Sequence, residues 1–169
     1  MKGADDMPHI HDKIDFTVEV FVVNKGKVLL RKHDKYKIWL SVGGHIELDE
    51  DPNRAAVREV KEEVGLDVTL LPNGEISGIG DKRYKELIPP RFLNIHDIND
   101  THRHITLVYF ATCDSDGLAM SEDEKSDGCR WFTRAELGDP LYGLKDNVRM
   151  HAERALIEVA GGADRQGKR

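Results

Sequence analysis

The chain has 169 residues, 39% of them hydrophobic and 33% charged, with a formal net charge of −6. That length suits one domain with a sizeable core, and the acidic balance excludes non-specific binding to a nucleic-acid polymer or to a membrane surface. No run approaches the ~20 apolar residues that span a bilayer, and the N-terminus lacks the apolar core of a signal peptide.

Residues 1–8 are polar and expected to be disordered, and residues 9–160 are expected to form the single domain. His9 and His11 flank Ile10 and read as solvated strand residues. The first strand is Ile14 to Val23, with Phe16, Val18, Val20 and Val22 on one side. Asn24-Lys25-Gly26-Lys27 is a turn, and Val28-Leu29-Leu30 begins the return strand. After a polar loop at Asp34-Lys35-Tyr36, Ile38 to Val42 forms a short strand that runs into Gly43-Gly44. His45 beside it reads as an exposed loop histidine.

Pro52 and Asn53 then start a helix that Gly65 stops, with Asp49, Glu50 and Asp51 at the positive end of its dipole. Val57, Val60 and Val64 are spaced for a buried stripe. Glu59, Glu62 and Glu63 fall at i, i+3 and i+4, so a second face carries three carboxylates close together. Neighbouring anions repel, and Arg58 and Lys61 relieve only part of that. A hard divalent cation with oxygen ligands would relieve the rest, Mg²⁺ first and Mn²⁺ as the alternative. The bland alternative is a solvated acidic helix face.

Beyond the helix, Asp67 to Leu71 is extended, Pro72-Asn73-Gly74 is a turn, and Ile76 to Pro90 is a long loop. Arg91 to His96 and His104 to Ala111 are strands joined by a polar hairpin loop at Asp97 to Arg103. Gly128 to Phe132 is a further strand, and Thr133 caps a short helix at Arg134-Ala135-Glu136-Leu137. The last helix runs from Asn147 to Ala160 with Val148, Ala152, Ala155 and Val159 on one apolar face. Residues 161–169 are a polar tail. Strands around a central acidic helix, closed by another helix, suit an α/β fold with a mixed sheet covered on two faces. Cys113 and Cys129 lack metal-ligand spacing and read as reduced thiols, which makes the cytoplasm the expected location.

The run Gly44 to Leu66 has a fixed grammar. It reads Gly, five residues, Glu, seven residues, Arg-Glu, an aliphatic, any residue, Glu-Glu, any residue, Gly, an aliphatic, supplied by Gly44, Glu50, Arg58, Glu59, Val60, Glu62, Glu63, Gly65 and Leu66. This resembles the Nudix box of the Nudix hydrolase superfamily at every defined position. The resemblance implies an α/β/α sandwich with a mixed β-sheet from about Asp15 to Ala160. It also implies metal-dependent hydrolysis of a diphosphate bond in a nucleoside diphosphate linked to another group.

On that resemblance the metal ligands are Glu59, Glu62, Glu63 and the carbonyl of Gly44, with Glu59 or Glu63 orienting or deprotonating the water. Arg58 is an orienting group, paired with Glu62 or Glu50. Family members often recruit another acid outside the box, and Glu124 is the first candidate, Glu122 the second. In one departure, Val42 stands where the family commonly has proline before Gly-Gly. Many members pair into homodimers.

Substrate choice lies outside the box. Base-stacking candidates are Phe16, Tyr36, Trp39, Tyr84, Phe92 and Tyr109, and phosphate candidates are Arg83, Lys85, Arg91, His96, His102 and Arg103, all of them equally at home in core or solvent. Tyr84, Arg91 and Trp39 lead that set. Within the family, ADP-ribose hydrolases tend to carry a proline where this chain has Asp81 and Lys82, and dinucleoside-polyphosphate hydrolases a tyrosine near the place of Tyr84. The leading expectation is a small nucleotide such as a nucleoside triphosphate. The rivals are a dinucleoside polyphosphate or nucleotide sugar, and a Nudix-fold sensor that binds a nucleotide without cleaving it. Isomerase chemistry needs a placed cysteine for which Cys113 and Cys129 give no motif.

Overall fold

The structure, a computed structural model, describes residues 10–33, 37–74, 78, 80, 81, 83–119 and 126–166. Its elements in order are β1 (Ile14–Asn24), β2 (Lys27–His33), β3 (Trp39–Leu40), α1 (Pro52–Val64), β4 (Thr69–Leu70), β5 (Phe92–Asp97), β6 (Arg103–Thr112), β7 (Ser126–Phe132), α2 (Arg134–Leu137) and α3 (Asp146–Gln166), with a 3₁₀ turn at Pro140–Tyr142. The last helix runs through Gly161 and Gly162 into the expected tail.

The seven strands form one mixed sheet. β1 pairs in parallel with β6 along its whole length, from Ile14 opposite Arg103 to Val23 opposite Thr112. On its other edge β1 meets β2 only at the hairpin end, where Val23 faces Val28. Toward its start that edge is taken by the segment 42–46 instead. Val20 N–H donates to the Val42 carbonyl (2.7 Å), Val18 N–H to the Gly44 carbonyl (2.8 Å), and Ile46 N–H to the Phe16 carbonyl (2.9 Å). β2 also pairs with β3 and β7, and β6 with β4 and β5.

Alternation along β1 divides the core. Val18, Val20 and Val22 pack with Ala55, Ala56, Val60 and Val64 of α1. Phe21 and Val23 face the other way and pack with Val148, Ala152, Ala155 and Leu156 of α3. Both sheet faces are therefore covered, and each fully buried Val or Leu contributes roughly 1.5–3 kcal/mol.

α1 carries its own start and stop. Asp51 accepts hydrogen bonds from the Asn53 and Arg54 backbone N–H groups, both at 3.0 Å, and Gly65 closes the helix in the left-handed conformation (φ 74°). Its buried arc is Ala55, Ala56, Val60, Glu63 and Val64, whereas Val57 is exposed. The valine stripe is thus corrected by one position: two alanines fill the narrow space against the sheet and turn Val57 to solvent. Among the described residues no helix is long and apolar enough to cross a membrane.

Candidate active site

The box folds around Gly44. A Cβ there would lie 2.6 Å from the Glu59 carboxyl carbon, so the carboxylate rests directly on the glycine Cα, in space any other residue would fill. The preceding Gly43 is equally constrained: at φ 151° a Cβ would sit 2.0 Å from the Val18 carbonyl oxygen. Val42, in the usual proline's place, is fully buried in the α1-side core.

Arg58 is the hub of the acidic face. Its guanidinium donates to Glu50 (2.6 Å), Glu59 (2.9 Å), Glu62 (2.8 Å) and the His45 carbonyl (2.9 Å). Both sequence-based pairings of Arg58 are therefore made at once. The Glu50 contact, ahead of those to Glu62 and Glu59, raises the arginine's affinity for its proton. The same contact holds the Glu50 carboxyl below the usual glutamate range. Glu62 is the exposed member of the group and Glu59 is mostly covered.

Glu63 is held differently. It is only 4% exposed, and its two oxygens meet the Arg31 guanidinium at 2.9 Å and the Gly43 N–H at 3.0 Å. Arg31, from the end of β2, is a positioning residue that the sequence does not single out. Its only signal is a basic residue ending an apolar strand.

The carboxylates supply hard oxygen donors on adjoining turns, around a glycine that admits close approach. That donor chemistry fits a divalent cation of the Mg²⁺ or Mn²⁺ kind. The Gly44 carbonyl already accepts from Val18 N–H, which uses one of its lone pairs.

Other sequence-based candidates scatter. Trp39 packs on the α3 side, edge-on to Phe132 at 4.9 Å between centroids, and is not brought to the carboxylates. Arg91 ties the start of β5 to its surroundings: it donates to the Asn73 side chain (2.6 Å) and the Pro72 carbonyl (2.5 Å) and pairs with Glu158 of α3 (3.1 Å). In both residues the side chain makes contacts within the fold. Tyr84 is 58% exposed. The neighbouring Lys85 and Glu86 line an open recess of about 850 Å³ with Arg54, Val57, Arg58, Lys61 and Glu62. Of the remaining set, Phe16 is exposed on β1 and Tyr109 and His102 are buried.

His45 is not an exposed loop residue. Its imidazole is largely buried and stands 3.2 Å from the Asp15 carboxylate. Glu122, Glu124, Tyr36 and His9 lie outside the described residues. Ala119, ahead of Glu122 and Glu124 in the sequence, donates its N–H to the Val64 carbonyl at the end of α1. Ser126, just after them in the sequence, pairs with His33 two residues from Arg31.

The NUDIX domain family model matches residues 14–153 of this chain. Diphosphoinositol polyphosphate phosphohydrolase 3-beta of Homo sapiens is 30% identical over 144 residues, covering 83% of this chain and 74% of the relative. CTP pyrophosphohydrolase of Escherichia coli is 30% identical over 101 residues, covering 54% and 72%. A solved structure of a NUDIX family hydrolase from Clostridium perfringens superposes with TM-score 0.76 at 37% identity, covering 86% of this chain and 97% of that one.

Proposed function

The chain belongs to the NUDIX family and is a hydrolase of phosphoric anhydride bonds, and from that premise we propose that it is a Mg²⁺-dependent pyrophosphohydrolase of a nucleoside triphosphate or related nucleotide. One observation carries the site assignment: Arg58 holds Glu50, Glu59 and Glu62 together while Glu59 rests on Gly44. Glu59, Glu62 and Glu63 would hold the cation, with Gly44 beside them and Glu124, which precedes β7 in the sequence, as the further acid. When bound, the ion supplies charge neutralisation for the diphosphate and a lowered pKa for attacking water.

The remaining work belongs to the chain's own groups. Glu59 is the best-placed base, because its carboxylate sits in the cradle at Gly44 with the Arg58 guanidinium 2.9 Å away. Glu63, locked by Arg31 and Gly43, serves geometry more than proton transfer. Arg58 keeps the carboxylates ionised and oriented. Arg54, Lys61 and Lys85 around the recess beside α1 offer positive charge to phosphates, and Tyr84 offers a ring for the base. Free thiols at Cys113 and Cys129 accord with a cytoplasmic setting.

The test is product identification. The full chain is incubated with Mg²⁺ and a panel of nucleoside triphosphates, dinucleoside polyphosphates, ADP-ribose, nucleotide sugars and a diphosphoinositol polyphosphate. A nucleoside monophosphate plus pyrophosphate from one triphosphate is the expected result. Preferential cleavage of another panel member would overturn the substrate assignment. Tight binding of one member without cleavage of any would replace it with the sensor reading.

A further inference from the structure

We propose that Asp15, His102 and His104, with His45 at the rim, form a second cation site, selective for a borderline transition ion of the Zn²⁺ class and separate from the carboxylates of α1.

The group is a product of strand register. Asp15 on β1 lies opposite His104 on β6, and His104 lies opposite His96 on β5. Thr17, two residues along β1, bridges to His45 in the segment 42–46. Strand side chains alternate, so Asp15, Thr17, His45 and His104 share the face opposite α1. His102 joins from the turn that leads into β6. One row further in, the Thr17 and Thr106 hydroxyls meet at 2.7 Å and close the floor.

The donor atoms converge. Among the described residues, one ligating atom each from Asp15, His102 and His104 all lie within 4.8 Å of one another. His45 Nε2 and His102 Nε2 approach the same Asp15 oxygen at 3.2 and 3.3 Å. Tetrahedral coordination with bonds of ~2.0–2.1 Å puts neighbouring ligands roughly 3.3 Å apart, so these two edges need almost no adjustment. The rings of His102 and His45 stand 5.3 and 4.9 Å from the His104 ring, both edge-on.

The surroundings orient the donors. Asp15 is fully buried and accepts the backbone N–H of His11 at 2.6 Å and of Ile10 at 3.2 Å. His102 Nδ1 lies 3.5 Å from the Asp12 carbonyl. With its proton on that nitrogen, Nε2 turns a lone pair toward the carboxylate, an arrangement that a cation between them stabilises. His104 is buried on the same face.

The donor set decides the ion. Imidazole nitrogens with one carboxylate favour Zn²⁺, Co²⁺ or Ni²⁺ over Mg²⁺, which prefers the all-oxygen ligands of α1.

The experiment uses the full chain, stripped with a chelator and titrated with Co²⁺, then with Zn²⁺. Visible d–d absorption that saturates at one equivalent and is displaced by Zn²⁺ is the expected result, with Mg²⁺ in excess failing to displace it. His102→Gln and Asp15→Asn should each weaken Co²⁺ binding by about tenfold or more, whereas Glu59→Gln and Glu62→Gln should retain the band. Circular dichroism checks that each variant is folded. If Asp15→Asn does not fold, His102→Gln and the unmodified chain carry the test. Absence of saturable Co²⁺ and Zn²⁺ binding in the unmodified chain, or binding lost with Glu59→Gln but kept with His102→Gln, would overturn the proposal.

Discussion

The segment 42–46 presents two consecutive residues to opposite faces of the sheet, and the faces handle charge differently. Gly44 opens toward α1, where carboxylates are kept in place by guanidinium groups: Arg58 for Glu50, Glu59 and Glu62, and Arg31 for Glu63. His45 points the other way, where a single carboxylate, Asp15, is surrounded by imidazoles. Fixed positive charge can orient several acids without neutralising them, because arginine does not give up its proton. Imidazoles orient through neutral nitrogens and leave lone pairs available. The first arrangement suits hard oxygen ligation and proton transfer at a diphosphate; the second suits nitrogen ligation.

The sharpest division lies within the α1 face. Glu59→Gln should lower kcat by about 10²–10⁴-fold and leave the melting temperature near that of the unmodified chain, since Arg58 keeps Glu50, Glu62 and the His45 carbonyl as partners when the Glu59 charge is removed. Glu63→Gln should also lower kcat, but it leaves Arg31 without its buried partner and costs stability on the order of 3 kcal/mol. Denaturant unfolding alongside turnover separates the two. Equal stability losses would break the distinction between a reacting and a positioning carboxylate, and near-normal turnover of both variants with Mg²⁺ would remove the metal assignment altogether.

Gly44→Ala tests the cradle itself. The atoms nearest the new Cβ are the end of the flexible Glu59 side chain, so the fold should tolerate it while the carboxylate is displaced. A displacement approaching 1 Å at a reacting group costs about a hundredfold in rate, so kcat should fall by roughly that amount with little change in unfolding midpoint. Unchanged kcat would mean that Glu59 does not work from the position it occupies.

These contrasts also explain what the chain disclosed before folding. The acidic face of α1 is local: three glutamates within two turns are fixed by helix geometry, and Asp51 and Gly65 mark its ends. Arg58 was legible for the same reason, being one turn from Glu62. Arg31 was not, because it reaches Glu63 only after β2 is placed beside the box. The group at Asp15 is less local still. Its members come from β1, the segment 42–46 and the entry to β6, and they meet because β1 and β6 run parallel in a particular register, which periodicity does not reveal. Trp39 and Arg91 show what residue type alone leaves out: a tryptophan and an arginine near a box suggest a ligand, and only the fold places one against the α3-side core and has the other tie β5 to α3.

The α3 side holds one histidine that should behave unlike the others, and it gives the smallest predicted effect. His151 is buried, stacked on Phe92 at 4.5 Å and edge-on to Phe21 at 5.6 Å, and its Nδ1 has no hydrogen-bond partner among the described residues. Burial lowers its pKa. Below the ordinary histidine value of about 6.5, the unfolded chain takes up a proton that the folded chain resists, so this residue's contribution is most favourable above that pH and declines as pH falls toward the folded value. His151→Phe removes the titration and the unpaired nitrogen, for a gain of roughly 1 kcal/mol at neutral pH that widens in acid. Unfolding curves from pH 7.5 to 5 read this directly, and adding Zn²⁺ should leave the difference between the two proteins unchanged, because among the described residues no carboxylate faces His151 as Asp15 faces His45 and His102. A difference that closes as pH falls would mean that His151 is protonated in the folded protein and held by a partner.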